Sequence, residues 1–587
     1  MNEKEIQTAE RDIQTENTSQ NSKDEVAAEA RGGDLDELPK GYYYNWRFIG
    51  SFIAVVFMAQ GLYLGYTLPA NTITLINADL GPDPNFALIP IVKTLCGGVG
   101  LVLVGRLSDI FGRRWFMLGG AILGILGSIT CATAKDIDTI IGGTVFIGLA
   151  GAVQVSFSFV LMELVANKHR AYLTGLLFLS TCPVAAFGPL LARTFAAYTD
   201  IKWRWNYHIN LIANVIAFVL FYVCYHPPSH KQLHAGSGRT VRQELRELDW
   251  GGLILFSGGL TSFILGLSWG GGLYPWSAYQ VLVPLILGVF ILAAFSLYEI
   301  YMPLKYPLIP MKMFVNGPFM ALVGVASVGS MFYYSLTVIW PQMITALYES
   351  DPIQIGLMSG ILGGAIAFGQ VVGGGTIKFG YGHHQLRVSA VAMCAFIGAM
   401  AATDASTRNT AIAMCFLGAF AVGIVEVVGI VAVPFTVEPN ELGLASGLLG
   451  SCRSTLGSVA TAVFSSVLTT TRSKEVPPRL RALAAEDDLS ESSVAALIKA
   501  GLQGATATFA KIPGMPSDRV STYTVAVRDG NVKAYHMVFY TSMAFGAIAV
   551  ICAFLCQPFN HHFTNTIDKK LQDPKKKSKD SATKEVV

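Results

Sequence analysis

Three ionisable side chains lie inside long apolar runs of the sequence, where charged groups are rare: Lys93, Glu426 and Arg453. Each costs roughly 2.5–3.5 kcal/mol to place at the centre of a membrane helix, so each is a candidate functional residue. Glu426 and Arg453 fall in consecutive apolar runs and can neutralise each other, as a functional pair or as an ion pair that only fixes packing. Lys93 has no acid near it in the sequence, and the alternative is that its ammonium reaches the outer interface.

A second group of charges lies in the sequence GRLSDIFGRR, a short polar stretch between two long apolar runs. Gly105 and Gly112, seven residues apart, permit the turn and the close packing of a hairpin between membrane helices. A positively charged loop of this kind also favours the cytoplasmic side of a membrane. The charged residues of the hairpin are Arg106, Asp109, Arg113 and Arg114.

The composition indicates which elements carry these residues. Of 587 residues, 52% are hydrophobic and only 14% are charged, and the mean hydropathy is +0.48. Such a chain is predicted to be an all-α polytopic membrane protein. The nine cysteines lack metal-site spacing, and no glycine-rich run carries the Lys and Ser/Thr that bind nucleotide phosphates. The sequence therefore predicts no cofactor, no metal and no nucleic-acid partner, and the protein is not expected to be an enzyme.

Apolar runs and linkers predict fourteen transmembrane helices arranged as 6+2+6, and the distribution of Lys and Arg places both termini in the cytoplasm. Residues 471–533 are predicted to form a long extracellular loop whose amphipathic helix either packs on the protein or covers a cavity. The predicted domains are a disordered cytoplasmic tail (1–44), a six-helix bundle (45–226), a cytoplasmic linker (227–249), two inserted helices with a loop (250–315), a second six-helix bundle (316–557) and a basic cytoplasmic tail (558–587).

Further candidates come from polar and aromatic residues in the predicted spans. Gln154, Tyr334 and Trp340 join Lys93, Glu426 and Arg453 as candidates for proton coupling or substrate contact, and the aromatic residues suggest a bulky apolar ligand. In the fifth span, Pro183, Gly188 and Pro189 are expected to bend the helix and to let neighbours approach. Residues 373–384 repeat the glycine spacing of the first hairpin, which indicates two related halves with a site between them.

Several motifs resemble those of the major facilitator superfamily. GRLSDIFGRR matches the loop between helices 2 and 3 of that family, and Pro183 to Ala192 is similar to an antiporter motif. WRWNYHIN (203–210), LPAN (68–71), INADLG (76–81), FVLMELV (159–165) and GLASGLLGSCRS (443–454) resemble the fungal trichothecene efflux-pump family, which also contains siderophore transporters. The resemblance covers residues 45–557 and implies a conformational switch formed by Gly105, Arg106, Asp109, Gly112, Arg113 and Arg114.

The sequence departs from related exporters at two positions that bear on proton transfer. The arginine expected near Thr144 is absent, and the first helix lacks the usual acid, which leaves Glu426 as the best candidate for a proton carrier. The resemblance implies a monomeric plasma-membrane protein, or one of a vacuolar or other internal membrane, that exports a small organic toxin, drug or metabolite in exchange for protons. The alternatives are a proton-coupled importer of ferric siderophores and a transporter-like receptor.

The hairpin yields the first testable prediction. Asp109→Asn removes a charge that the resemblance assigns to the switch while preserving its shape, so the variant is expected to fold and insert normally but to transport poorly. Transport is measured at matched surface expression. Equal rates in the variant and the wild type would rule out the switch role.

Overall fold

The computed structural model describes residues 42–81, 83–111, 113–155, 165, 167–227, 243, 246–271, 273–304, 307–377, 381–437, 442–502 and 506–558. Helices dominate these residues. Those of twelve residues or more are α1 (Trp46–Leu80), α2 (Leu88–Phe111), α3 (Arg113–Ala132), α4 (Ile137–Val155), α5 (Asn167–Tyr198), α6 (Trp205–Cys224), α7 (Trp250–Trp269), α8 (Tyr279–Tyr301), α9 (Gly317–Met343), α10 (Pro352–Thr376), α11 (Gly382–Ala399), α12 (Arg408–Ala432), α13 (Leu442–Glu486), α14 (Glu491–Leu502) and α15 (Val520–Leu555).

Thirteen of the described helices are long and apolar enough to cross a membrane. The predicted class, an all-α polytopic membrane protein, is therefore confirmed. The fourteenth predicted span corresponds to α13, which lies outside this set because Arg453 and many Ser and Thr residues make it more polar. The count of fourteen and the cytoplasmic position of both termini stay predictions.

The long helices form two bundles of six. In the first bundle, α1 packs against α4, α5 and α6, while α3 packs against α4 and α6. Asparagines at four-residue spacing lie on one face of α6 and join it to its neighbours. Asn206 donates to Thr72 Oγ1 at 2.8 Å on α1, and Asn210 donates to Ser128 Oγ at 2.9 Å on α3. In the second bundle, α9, α10, α11, α12, α13 and α15 pack together.

Two helix pairs join the bundles, α5 with α10 and α2 with α13. Along the first pair the backbones nearly touch, because α10 presents glycines to the backbone of α5. A Cβ atom at Gly356 would lie 2.7 Å from Leu190 Cα, and one at Gly360 would collide with the carbonyl oxygen of Ala186. Small residues are the usual means by which membrane helices approach this closely.

The inserted helices α7 and α8 pack against each other, and α7 also contacts α2 and α13. The insert therefore lies beside the second seam between the bundles, as a two-helix layer. Most side chains of α8 are exposed, as expected for a helix that faces lipid. The apolar residues that join α7 to the seam are Ile91, Leu95, Leu260, Ile264 and Ala462.

The segment predicted as a long loop, 471–533, is mostly helical. The last 16 residues of α13 and the first 14 of α15 fall within it, and α14 lies between them. At about 1.5 Å per residue, the 45 residues of α13 are far longer than a membrane core of about 30 Å. The protruding ends close around a small core of their own, formed by Val476, Leu480, Ala484, Leu497, Phe509, Tyr523 and Val527.

Polar contacts close this cap, defined here as residues 471–533. Arg519 forms an ion pair with Glu486 at 2.7 Å, and the Tyr523 hydroxyl donates to Asp487 at 2.8 Å. The predicted amphipathic helix is α14, and it packs into the cap. In the structure this helix therefore packs on the protein, which was one of the two alternatives that the sequence left open.

The seam between α5 and α10 generates a stability prediction. Gly360→Ala is expected to force the two helices apart and to lower the unfolding midpoint of the purified protein, since overpacking typically costs about 1–3 kcal/mol. Gly375→Ala on the same helix is the matched control, because a Cβ atom there meets nothing within 4 Å. Equal midpoints for the two variants would contradict the close approach of the helices.

Candidate functional site

A cavity lies between the two bundles. Both bundles contribute to its wall, through α1, α2, α4 and α5 on one side and α9, α10, α12 and α13 on the other. The lining combines aromatic, aliphatic and charged side chains: Leu62, Tyr63, Tyr66, Lys93, Val155, Phe178, Tyr333, Tyr334, Gln370, Glu426, Ile430, Ser446, Leu449, Gly450, Arg453 and Ser454. This mixed lining suits an amphipathic molecule.

The charged residues of the second bundle form a closed network at this cavity. Arg453 on α13 donates to Glu426 Oε1 on α12 at 2.6 Å and, through Nε, to Ser330 Oγ on α9 at 2.7 Å. The Ser330 hydroxyl donates to the same carboxylate at 3.0 Å, and Gln370 on α10 donates to its other oxygen at 3.0 Å. Four helices of one bundle are thus joined through a single carboxylate. The structure brings Glu426 and Arg453 together, as the sequence suggested.

Tyrosines connect this network to the first bundle. The Tyr63 hydroxyl lies 3.5 Å from Gln370 Oε1, and the Tyr66 hydroxyl donates to the backbone carbonyl of Tyr334 at 2.9 Å. The rings of Tyr66 and Tyr334 meet edge to face, with centroids 5.2 Å apart. These contacts cross the space between α1 and the second bundle. Tyr334 was a candidate from the sequence, whereas Tyr63, Tyr66 and Gln370 were not.

Lys93 lies on the opposite wall, on α2. Its side chain is buried, with 5% of the residue exposed, and its Nζ lies 4.9 Å from the centroid of the Tyr66 ring. Among the residues that the structure describes, it has no ion-pair partner and no hydrogen-bond partner. Because Lys93 lines the cavity, its ammonium lies inside the protein, which disfavours the alternative in which it reaches the membrane interface.

Two candidates from the sequence lie away from the cavity. Gln154 on α4 donates to Asn214 Oδ1 at 2.8 Å within the first bundle. Trp340 is 1% exposed and donates its indole N–H to the carbonyl of Met358 at 3.0 Å, which joins α9 to α10. Both residues therefore have packing roles in this structure. The sequence also suggests Phe157 and Phe159 as aromatic cavity residues, and both lie outside the described part of the chain.

The fifth-helix motif lies at the seam between the bundles. Pro183, Gly188 and Pro189 are all within the continuous helix α5. A Cβ atom at Gly188 would lie 3.1 Å from Leu68 on α1, so this glycine faces the first bundle. The glycines that admit close contact between the bundles are those of α10. The motif thus contributes packing, and no side chain of it lines the cavity.

The charged hairpin is described only in part. Gly105, Arg106 and Asp109 fall within α2, but their side chains and all of Gly112 lie outside the described residues. Arg113 begins α3 and is buried. Arg114 donates to the carbonyl of Tyr222 at 2.7 Å and lies over the Tyr222 ring, so it joins α3 to the end of α6. The proposed switch contacts of Asp109 stay a prediction.

The tryptophan-rich motif forms a clamp at the other end of the first bundle. Asp79, near the end of α1, accepts from Lys202 Nζ at 2.7 Å and from the Trp203 indole N–H at 2.9 Å. Arg204 pairs with the same carboxylate at 3.5 Å and donates to the carbonyl of Ala134. The motif is therefore structural, since it joins α1, α6 and the turn after α3.

The chain is similar to known proteins over almost its whole length. A family model described as the fungal trichothecene efflux pump matches residues 7–586. A trichothecene efflux pump of Trichoderma arundinaceum is 31% identical over 93% of this chain and 92% of its own length, and one of Fusarium sporotrichioides is 29% identical over 95% and 94%.

Solved structures show the same fold at low identity. A bacterial homolog of the human lysosomal transporter Spinster, in an inward-facing and unoccupied conformation, superposes with a TM-score of 0.52 at 13% identity over 88% of this chain and 98% of its own. The human organic anion transporter MFSD10 gives 0.51 at 13% identity over 87% and 99%. The predicted major facilitator fold is confirmed, and the chain is a membrane transporter, not an enzyme. It belongs to the fungal trichothecene efflux pump family.

Proposed function

We propose that this transporter exports a small organic toxin, drug or secondary metabolite from the cell in exchange for protons, by alternating access at the plasma membrane. The observation that carries the proposal is the cavity between the bundles, which holds an ion pair on one wall and tyrosines across the middle. A site between two related halves can open to either side when the halves rock. Its wall of aromatic and aliphatic groups suits an apolar organic body.

Proton exchange requires a group that gains and loses a proton at the cavity. Among the described residues that line it, Glu426 is the one carboxylate. In this conformation the carboxylate is held by the guanidinium of Arg453, 2.6 Å away. Substrate binding or a change of conformation that separates the two side chains would release this constraint. Protonation of Glu426 would then be linked to one state of the transporter.

Export is the direction that the relatives suggest, since those described above are named as efflux pumps. The protein is expected to work as a monomer, because one chain supplies both bundles and every described wall of the cavity. Proton movement across the bilayer supplies the driving force in this proposal. No cofactor is required.

The direction is tested with cells that lack their own efflux pumps and express this protein. Radiolabelled trichothecenes and a panel of fungal metabolites are supplied, and their accumulation is measured with and without an uncoupler. Export predicts lower accumulation in expressing cells and loss of that difference when the uncoupler is present. Higher accumulation of ferric siderophores in expressing cells would instead establish import.

The coupling role is tested with Glu426→Gln. Glutamine preserves the shape and can still contact Ser330 and Gln370, but it carries no exchangeable carboxyl proton. The variant is expected to lose dependence on the proton gradient while substrate binding or exchange stays measurable. Transport is compared in proteoliposomes with an imposed pH gradient.

Two controls separate coupling from packing. Glu349 forms an ion pair with Arg408 at 3.4 Å, at the end of a helix and away from the cavity. Glu349→Gln removes this carboxylate and should leave coupling unchanged. Removing one partner of a buried pair often costs about 3–5 kcal/mol, so Glu426→Gln/Arg453→Gln, which removes both charges, should recover stability. If this double variant still concentrates substrate and responds to an uncoupler like the wild type, Glu426 is a structural partner and not the proton carrier.

A further inference from the structure

The charges on the cavity wall do not balance. Its described lining contains one carboxylate, Glu426, and two cationic side chains, Arg453 and Lys93. Glu426 and Arg453 neutralise each other at 2.6 Å. Lys93 is left without an acidic partner among the described residues, although it is 95% buried. A buried ammonium is costly unless an anion pairs with it.

Lys93 also lies where a ligand can reach it. It lines the central cavity together with Tyr66, and both residues line a second, smaller cavity between α1, α2, α4 and α6. The two cavities thus meet at Lys93. The face of the Tyr66 ring, 4.9 Å from Nζ, compensates the charge only in part.

The smaller cavity provides a further hydrogen-bond donor. Tyr207 lines it, and the buried hydroxyl of this residue has no hydrogen-bond partner within the described part of the chain. A buried hydroxyl without a partner is rare in folded proteins and calls for a bound water, ion or ligand group. An acidic group placed beside Lys93 could receive a charged hydrogen bond from Nζ, in a region that also holds this hydroxyl.

The rest of the described lining contains no other carboxylate and is of mixed polarity. Its aliphatic and phenylalanine side chains come from both bundles, Leu62, Val155 and Phe178 from the first and Ile430 and Leu449 from the second. This arrangement offers one cation without an acidic partner together with apolar and aromatic surface. Ligands with one acidic group and an aromatic or polycyclic body match both features.

We propose that Lys93 is an anion-recognition point and that the exported compounds include organic acids that carry a carboxylate, or an equivalent acidic group, on an apolar body. That these compounds are exported rests on the proposed function, whereas the anion-binding site at Lys93 does not depend on it. Lys93 touches the ligand directly, and its ammonium supplies the counter-charge that the protein lacks. Neutral analogues of the same shape bind less well.

Binding is tested with the purified full-length protein in lipid nanodiscs, by the rise of its unfolding midpoint with ligand concentration. The probes are three matched pairs, naphthalene-2-carboxylate, anthracene-2-carboxylate and 4-phenylbutyrate, each against its carboxamide. The wild type is expected to bind at least one carboxylate about tenfold more tightly than its amide, as a charged hydrogen bond in a buried site implies. No preference in any pair would overturn the proposal.

Substitutions then assign the preference to Lys93. Lys93→Gln is expected to bind acid and amide equally, and Lys93→Arg to retain the preference for the acid. Lys202→Gln is the matched control, because this lysine is half exposed and already paired with Asp79. A preference that survives in Lys93→Gln, folded as judged by its own unfolding midpoint, would remove Lys93 from the site.

Transport distinguishes this inference from the proposed function. Should the wild type prefer the carboxylates in binding but not reduce their accumulation in cells, the export proposal fails while the anion site stands. Should cells export neutral compounds and the binding preference be absent, export stands and the anion site fails.

Discussion

The ion pair between Glu426 and Arg453 is the interaction on which the second bundle depends. A single unpaired charge is costly in an apolar environment, so Glu426 and Arg453 each need the other as a partner. The remaining lone pairs of the carboxylate and the remaining N–H groups of the guanidinium also need hydrogen-bond partners. Ser330 and Gln370 satisfy that need from two more helices. The demand for neutrality therefore fixes the mutual position of α9, α10, α12 and α13 at the point where they face the cavity.

The contacts between the bundles are of a different kind. Between α5 and α10, glycines of α10 contact the backbone of α5. Between α2 and α13, the Ser458 hydroxyl donates to Thr94 Oγ1 at 2.7 Å. Within the described residues, no ion pair joins the two six-helix bundles. Close backbone packing and neutral hydrogen bonds therefore join the two bundles, whereas a buried ion pair joins helices within the second bundle.

Sequence reasoning identified helices and site residues correctly where their polarity differs from that of the neighbouring sequence. Long apolar runs predicted two helices within residues 250–315, where α7 and α8 lie, and charges inside such runs identified Lys93, Glu426 and Arg453. In the cap it predicted one amphipathic helix but not the extensions of α13 and α15, because Pro477, Pro478 and the charges around them are typical of a loop. Helices persist there since they bury an apolar core of their own, which is a tertiary effect that no local pattern reveals.

Aromatic residues show the same limit within the site. Trp340 and Tyr334 look alike in the sequence, as large aromatic residues in one apolar helix, yet one fills the packing between α9 and α10 and the other lines the cavity. Six positions separate them along α9, and at 3.6 residues per turn their side chains lie about 120° apart around the helix, so they meet different neighbours. Tyr63 and Tyr66 escaped notice for the same reason, since the sequence does not show which face of a helix lines a cavity.

The cavity is asymmetric in charge. The neutralised pair belongs to the second bundle, whereas Lys93, which has no acidic partner among the described residues, belongs to the first. Tyr63 reaches from the first bundle to Gln370, which itself donates to the Glu426 carboxylate. Separation of the bundles at this point would break the contact between Tyr63 and Gln370 and would leave Glu426 beside Arg453, because both of these residues belong to the second bundle. The contact of Tyr63 with Gln370 is therefore the link between the first bundle and the network around the carboxylate.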